Sequence, residues 1–118
     1  MKTKYNEILV EVKESAAWIT INRPEVRNAF REQTLDELRE AVLETRNDPS
    51  ISCIVITGAG EQAFSAGGDF YAMKRLNWVN AAHWNDRMLG LAMAIRGVPV
   101  PVIAMVNGWC MGGGHELA

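Results

Sequence analysis

Cysteine is scarce in this chain. Only Cys53 and Cys110 occur in 118 residues, so no disulfide framework is expected and a reducing cytoplasm is the default setting. Histidine is equally rare, with His83 and His115, and no metal-ligand spacing stands out. An excess of one charge sign is missing too. Twelve basic residues against 14 acidic ones leave a formal net charge of -2, which offers no general attraction to nucleic acid or an anionic membrane. Long apolar runs are absent, because polar residues interrupt every candidate before membrane-spanning length. The opening "MKTKYNEILVEVKE" has no apolar signal-peptide core. What is present is 48% hydrophobic and 22% charged residues, the composition of a folded domain with one core rather than a disordered tail.

Periodicity predicts the elements. "EILVEVK" (residues 7–13) and "AWITIN" (residues 17–22) read as strands. In the second, Ile19 and Ile21 share one face and Trp18, Thr20 and Asn22 the other. The "ESA" between them is short enough for a hairpin, and Pro24 ends the second strand. "TLDELREAVLETRND" reads as a helix with a Thr34–Glu37 capping box, a stripe of Leu35, Leu38 and Val42, and a stop at Pro49. "ISCIVITG" (residues 51–58) is a nearly continuous apolar run, as in a strand covered on both faces. A loop of small residues, "AGEQAFSAGGDF", follows. "NAAHWNDRMLGLAMAIRG" (residues 80–97) predicts a second helix ending at Gly97, with Pro99 beyond. "PVIAMV" (residues 101–106) predicts another buried strand, "NGWCMGGG" a loop, and "GHELA" the start of a helix. Strands alternating with helices, and apolar strands running into glycine loops, favour an α/β fold.

Two glycine loops each follow an apolar strand: "FSAGGD" (residues 64–69) and "MGGGHE" (residues 111–116). Ligands of α/β proteins often sit beyond the carboxyl ends of strands, and glycine lets the backbone come close to them. Two such loops could aim two N–H groups at one point, as an oxyanion hole requires. A glycine cluster is more commonly a tight turn. Phosphate binding is a further rival, but no Lys-Ser or Lys-Thr follows "GGG". "GAGEQA" imitates a dinucleotide fingerprint, yet "FSAGGD" stands where its helix should open. A helix starting near Gly113 would leave the Gly113 N–H unpaired in its first turn, with Glu116 three residues on along the same face. The helix dipole would favour a negative oxygen there, and a carboxylate beside it suits acid–base work. A lone glutamate is more usually solvated or helix-stabilising.

Taken together, "INRPEVRNAF", "AFSAGGDF" and "PVIAMVNGWCMGGGHELA" resemble the enoyl-CoA hydratase/isomerase (crotonase) family, in order and spacing, across essentially the whole chain. The resemblance implies an α/β spiral of ββα units, assembled as homotrimers or homohexamers. It implies acyl-CoA thioester substrates, an enolate held at the thioester oxygen, and no separate cofactor, since coenzyme A is part of the substrate. The two donors of the family match Gly68 and Gly113. The acid–base glutamate of its hydratases, three residues after the second donor, matches Glu116. The acyl-CoA contact segment matches Ala66, Gly67, Gly68, Asp69, Phe70 and Tyr71, together with Gly112 and Gly113. Val26, Arg27 and Ala29 match positions near the CoA moiety, with Arg27 a candidate for phosphate contact. A solvated surface charge is the plainer account of Arg27.

Family members are about twice this long, and their hydratases carry a second glutamate beyond the position matching Ala118. The expectation is therefore that residues 1–118 are the N-terminal part of a crotonase-like domain, truncated and inactive by itself as a hydratase. Isomerases, thioester hydrolases, hydratase-lyases and dihydroxynaphthoyl-CoA synthases belong to the same family, and a non-catalytic acyl-CoA binder is a further alternative. "INRPEVRNAF" and "GGGH" resemble the synthases and "AMVNGWC" the hydratase-lyases. Synthases generally lack a glutamate at the position of Glu116, so its presence points to a hydratase. Asp69 is expected to fix the loop that presents Gly68, and His115 to pack or cap. His83 is placed on a polar or partly buried helix face. Trp78, Trp84, Met88 and Met93 are expected in the core or lining an acyl pocket.

Overall fold

All of residues 1–118 are described in a computed structural model of the protein. Alternation sets the first layer. β1 (Ile8–Lys13) and β2 (Ala16–Ile21) pair antiparallel, Lys13 opposite Ala16. The turn residues Glu14 and Ser15 have φ of 50° and 69°, and positive φ at both central positions is what a type I′ hairpin turn requires. In β2 Ala17, Ile19 and Ile21 are fully buried, the face anticipated from the two isoleucines.

A single 3₁₀ turn (Pro24–Val26) then leads to α1 (Glu32–Glu44), which buries Leu35, Leu38, Ala41 and Val42 against the sheet. Its start corrects the expected capping box. The helix begins two residues before Thr34, so Thr34 occupies the third helical position and its hydroxyl accepts the Arg31 N–H at 3.1 Å. Glu37 does not cap the helix. It is buried and accepts the backbone N–H groups of Asn6 and Glu7, at 2.7 and 2.9 Å. A long-range demand for an acceptor has taken a residue that local spacing would assign to the cap.

β3 (Cys53–Gly58) lies parallel to β2, with Ile54 to Gly58 all buried, as its apolar run suggests. β4 (Ala63–Ser65) follows, then the five-residue α2 (Phe70–Lys74) and the 18-residue α3 (Asn80–Gly97), which packs on α1. The bounds of α3 are those predicted. β5 (Val102–Ala104), β6 (Trp109–Cys110) and α4 (Gly113–Leu117) complete the chain. The main sheet runs β1-β2-β3-β5, parallel after the first pair, and β4 with β6 forms a second, two-stranded parallel sheet.

Two expectations fail here and a third is narrowed. β5 is shorter than residues 101–106 and is not buried. Ile103 is 49% exposed, and Met105 and Val106 are similarly open, because β5 is the edge of the sheet. β4 and β6 lie in segments read as loop; at three and two residues they are too short to show a period. Trp78 and Met93 are exposed, at 89% and 62%, so neither is core. Trp84 alone of that group is buried, while Met88 is half-buried. No helix is long and apolar enough to cross a membrane.

Candidate active site

The two glycine loops meet. A Cβ added to Gly67 would fall 2.9 Å from the Gly113 nitrogen and 2.9 Å from the Met111 oxygen. Gly67 also has a φ of +95°, so close approach and backbone conformation both demand glycine there. Gly112 has a φ of +51° and stands immediately before α4. The Met111 N–H donates to the Ser65 oxygen at 3.0 Å, tying the second loop to the end of β4. Neither the Gly68 N–H nor the Gly113 N–H has an acceptor within the chain.

Around these donors lie apolar side chains. The position a Cβ would take on Gly68 is 2.8 Å from the Met73 sulfur and 3.4 Å from the Trp84 ring. On Gly113 it would lie 3.6 Å from Met88 and from the Phe30 ring. Glu116 is one turn into α4, its N–H donating to the Gly112 oxygen at 3.1 Å. Its exposed carboxylate borders a groove of about 380 Å³ between α3 and α4, lined also by Met88, Leu91, Ile95 and Leu117. His115 is exposed and makes no hydrogen bond, so the expected packing or capping role is not seen; His83 sits on the exposed face of α3.

Asp69 does hold the first loop. Its carboxylate caps α2, accepting the Tyr71 and Ala72 N–H groups at 2.9 and 3.2 Å, and it pairs with Arg23 at 3.1 Å. Burial pushes the Asp69 carboxyl up. The Ala72 N–H, the Arg23 guanidinium and the Tyr71 N–H outweigh that and hold it below the ordinary carboxylate range. The Arg23 guanidinium also donates to the Ala29 oxygen at 2.7 Å and faces the buried Glu7, which Arg31 and Thr34 bond as well. Two buried carboxylates are thus matched by two arginines, which keeps their desolvation tolerable.

The remaining candidates divide. Val26 and Tyr71 line a cavity of about 480 Å³ with Arg23, Arg31, Asp69 and Arg75. Arg27 is exposed, in a left-handed conformation at φ +53°, and its oxygen accepts the Ala66 N–H at 3.0 Å. Its guanidinium has no partner in the chain and borders a separate cavity of about 230 Å³ beside residues 59–63. Ala29 is buried, with its carbonyl committed to Arg23. Ala66 and Gly68 are exposed and Gly67 is buried. Phe70 and Tyr71 are exposed and touch edge to face, 5.8 Å between centroids.

Sequence reasoning overlooked the polar supports. Asn28 is buried at φ +57°; its amide donates to the Ala59 and Ala63 oxygens and its side-chain oxygen accepts the Arg23 N–H. Asn107 binds Gly58, Gly60 and Ala63 in the same way, across 44 or more residues. Ser65 joins Asn28 to Gly67. The only local signal is a short polar residue beside each glycine turn, as in "NG" at 107–108 and "SAGG" at 65–68.

Comparisons with known proteins bear on the family and the fold. The family model for enoyl-CoA hydratase/isomerase matches residues 11–118. A crotonyl-CoA hydratase from Syntrophomonas wolfei is 38% identical over 114 residues, covering 97% of this chain and 44% of that protein. Among solved structures, an enoyl-CoA hydratase from Bacillus anthracis superimposes with a TM-score of 0.91 at 29% identity, over 95% of this chain and 44% of that one. DspI of Pseudomonas aeruginosa does so with a TM-score of 0.92 at 31% identity, over 100% and 48%. The chain therefore spans slightly less than half the length of these relatives and has the crotonase-like fold over that span. It belongs to the enoyl-CoA hydratase/isomerase family.

Proposed function

We propose that the complete gene product hydrates an α,β-unsaturated acyl-CoA. The observation that carries this reading is the pair of unpaired N–H groups, Gly68 and Gly113, on two loops in contact, with Glu116 one turn beyond the second. Attack of water at the β-carbon moves electron density onto the thioester oxygen. Two preorganised N–H donors stabilise that charge more than they stabilise the neutral thioester, which is what lowers a barrier. Glu116 takes a proton from the attacking water and returns it to the α-carbon of the enolate, so one water is added in all and the carboxylate is restored. The name of the S. wolfei relative, crotonyl-CoA hydratase, supports the same chemistry. Cavity-lining Val26 and Tyr71, with Arg75 beside them, suit the CoA portion of such a substrate.

The test is loss of enoyl-thioester absorbance with the complete gene product. Glu116→Gln keeps the size of the side chain and removes the base. Turnover should fall by about 10²–10⁴ while acyl-CoA affinity, measured by calorimetry, stays within a few-fold. Unchanged turnover removes Glu116 from the mechanism. Binding without turnover in the unmodified protein favours a binder, or another reaction of the family.

A further inference from the structure

We infer that Ser65 is a positioning residue, whose hydroxyl sets the direction of the Gly68 donor; the inference rests on the oxyanion reading of that donor. The peptide unit carrying the Gly68 N–H also carries the Gly67 carbonyl. That carbonyl accepts the Phe30 N–H at 2.7 Å. No peptide in the chain is cis, and in a trans unit N–H and C=O point in opposite directions. The Phe30 bond therefore turns the Gly68 N–H away from Phe30. The Phe30 oxygen also accepts the Asp69 N–H at 2.6 Å, which fixes the far side of Gly68; the near side still turns about the bonds of Gly67, and glycine resists such rotation least of all residues.

Ser65 removes that freedom. Its hydroxyl oxygen accepts the Gly67 N–H at 3.1 Å, so the peptide units on both sides of Gly67 are held. The hydroxyl proton is committed to the Asn28 oxygen at 2.7 Å, which leaves an oxygen lone pair for Gly67. Asn28 is itself buried and bonded to Arg23, Ala59 and Ala63. Ser65 is wholly buried, and a Cβ on Gly114 would meet its side chain at 2.9 Å. The hydroxyl is closed off from bulk solvent. Removing it orphans a buried N–H and a buried carbonyl, next to the donor and without touching it. The donor stays present and loses its aim. Preorganisation, more than the number of donors, is what such a site depends on.

The experiment compares Ser65→Ala and Ser65→Cys with the unsubstituted complete gene product. Three readings are taken: kcat and KM for an enoyl-CoA, affinity for a saturated acyl-CoA, and affinity for a β-ketoacyl-CoA at a pH where its enolate forms. The alanine variant should lose about tenfold in kcat with KM within about threefold. It should bind the enolate-forming ligand about tenfold more weakly and the saturated one unchanged. The cysteine variant, with a weaker donor and acceptor of similar shape, should fall between. Should the alanine variant fail to fold, the cysteine variant carries the test, with the same selective loss expected to a lesser degree. Equal changes for both ligands, or none, in folded variants overturn the Ser65 inference. An unsubstituted protein that neither turns over an enoyl-CoA nor prefers the enolate-forming ligand overturns the functional reading itself, and the inference with it.

Discussion

β3 and β5 are similar on paper and different in the fold. Each is an apolar run next to glycine-containing sequence, and the two pair side by side, Ile56 opposite Ala104. β3 is enclosed on both faces, with Ile54 and Ile56 in the main core. β5 lies at the sheet edge with Ile103 half exposed, and the segment beyond it leaves Met105, Val106, Trp109 and Met111 open. The difference teaches that an apolar run reports the capacity to be buried, while topology decides whether burial happens. It also separates two kinds of order. The β2–β3–α1 layer is held by side chains packing into one core. The β4–β6–α4 layer is held by backbone meeting backbone at Gly108 and Gly114, with the side chains of β6 and α4 largely outside.

The largest expected effect tests that second kind of order. A Cβ on Gly114 would lie 2.2 Å from the Ser65 carbonyl oxygen, whereas on Gly113 its nearest neighbours are 3.6 Å away. Gly114→Ala should cost about 3 kcal/mol or more, because backbone must move. Gly113→Ala keeps its N–H and should shift stability by less than about 1 kcal/mol. Urea midpoints of the two variants decide it. Similar midpoints would mean that the open layer is not anchored by close backbone contact at all.

The next effect tests the first kind. Ile56 is 2% exposed and Ile103 49% exposed. Ile56→Ala should cost about 2–5 kcal/mol, and Ile103→Ala in residues 1–118 about 1 kcal/mol or less. The same pair measured in the complete gene product breaks or sharpens the contrast. A large cost for Ile103→Ala there would show that further chain or a partner covers the edge.

The same contrast explains what was legible in the sequence. Both α1 and α3 and the β1–β2 hairpin follow from periods of 3.6 and 2 within a few residues, and β3 follows from its continuous apolar run. The two glycine loops, and the short helix carrying Glu116, were legible from glycine next to apolar runs. Less visible were the bonds that make the loops a site. Arg23 reaches Asp69 across 46 residues, Asn107 reaches Gly58 across 49 and Ser65 reaches Asn28 across 37. No local pattern encodes such partners. Glu37 shows the converse: its spacing from Thr34 fits a cap, and the fold uses it for Asn6 and Glu7.

The smallest effect concerns the link between the two layers. Arg23 follows β2, Asp69 follows the first glycine loop, and their contact at 3.1 Å joins them. The Asp69 carboxyl titrates below its ordinary value in the folded protein. A depressed carboxyl contributes stability that is fully present above the unfolded value, about pH 4, and is lost as pH falls through the lower folded value. Asp69→Asn keeps an oxygen to cap α2 and removes the charge facing Arg23. The variant should be less stable than the parent by about 1–2 kcal/mol at pH 7, and the gap should close below about pH 4 as the parent's own carboxyl protonates. Paired urea titrations from pH 3 to pH 7 read this directly. A gap that stays constant with pH would mean that the carboxylate acts only as a cap, and that the two layers are joined by packing and backbone bonds alone.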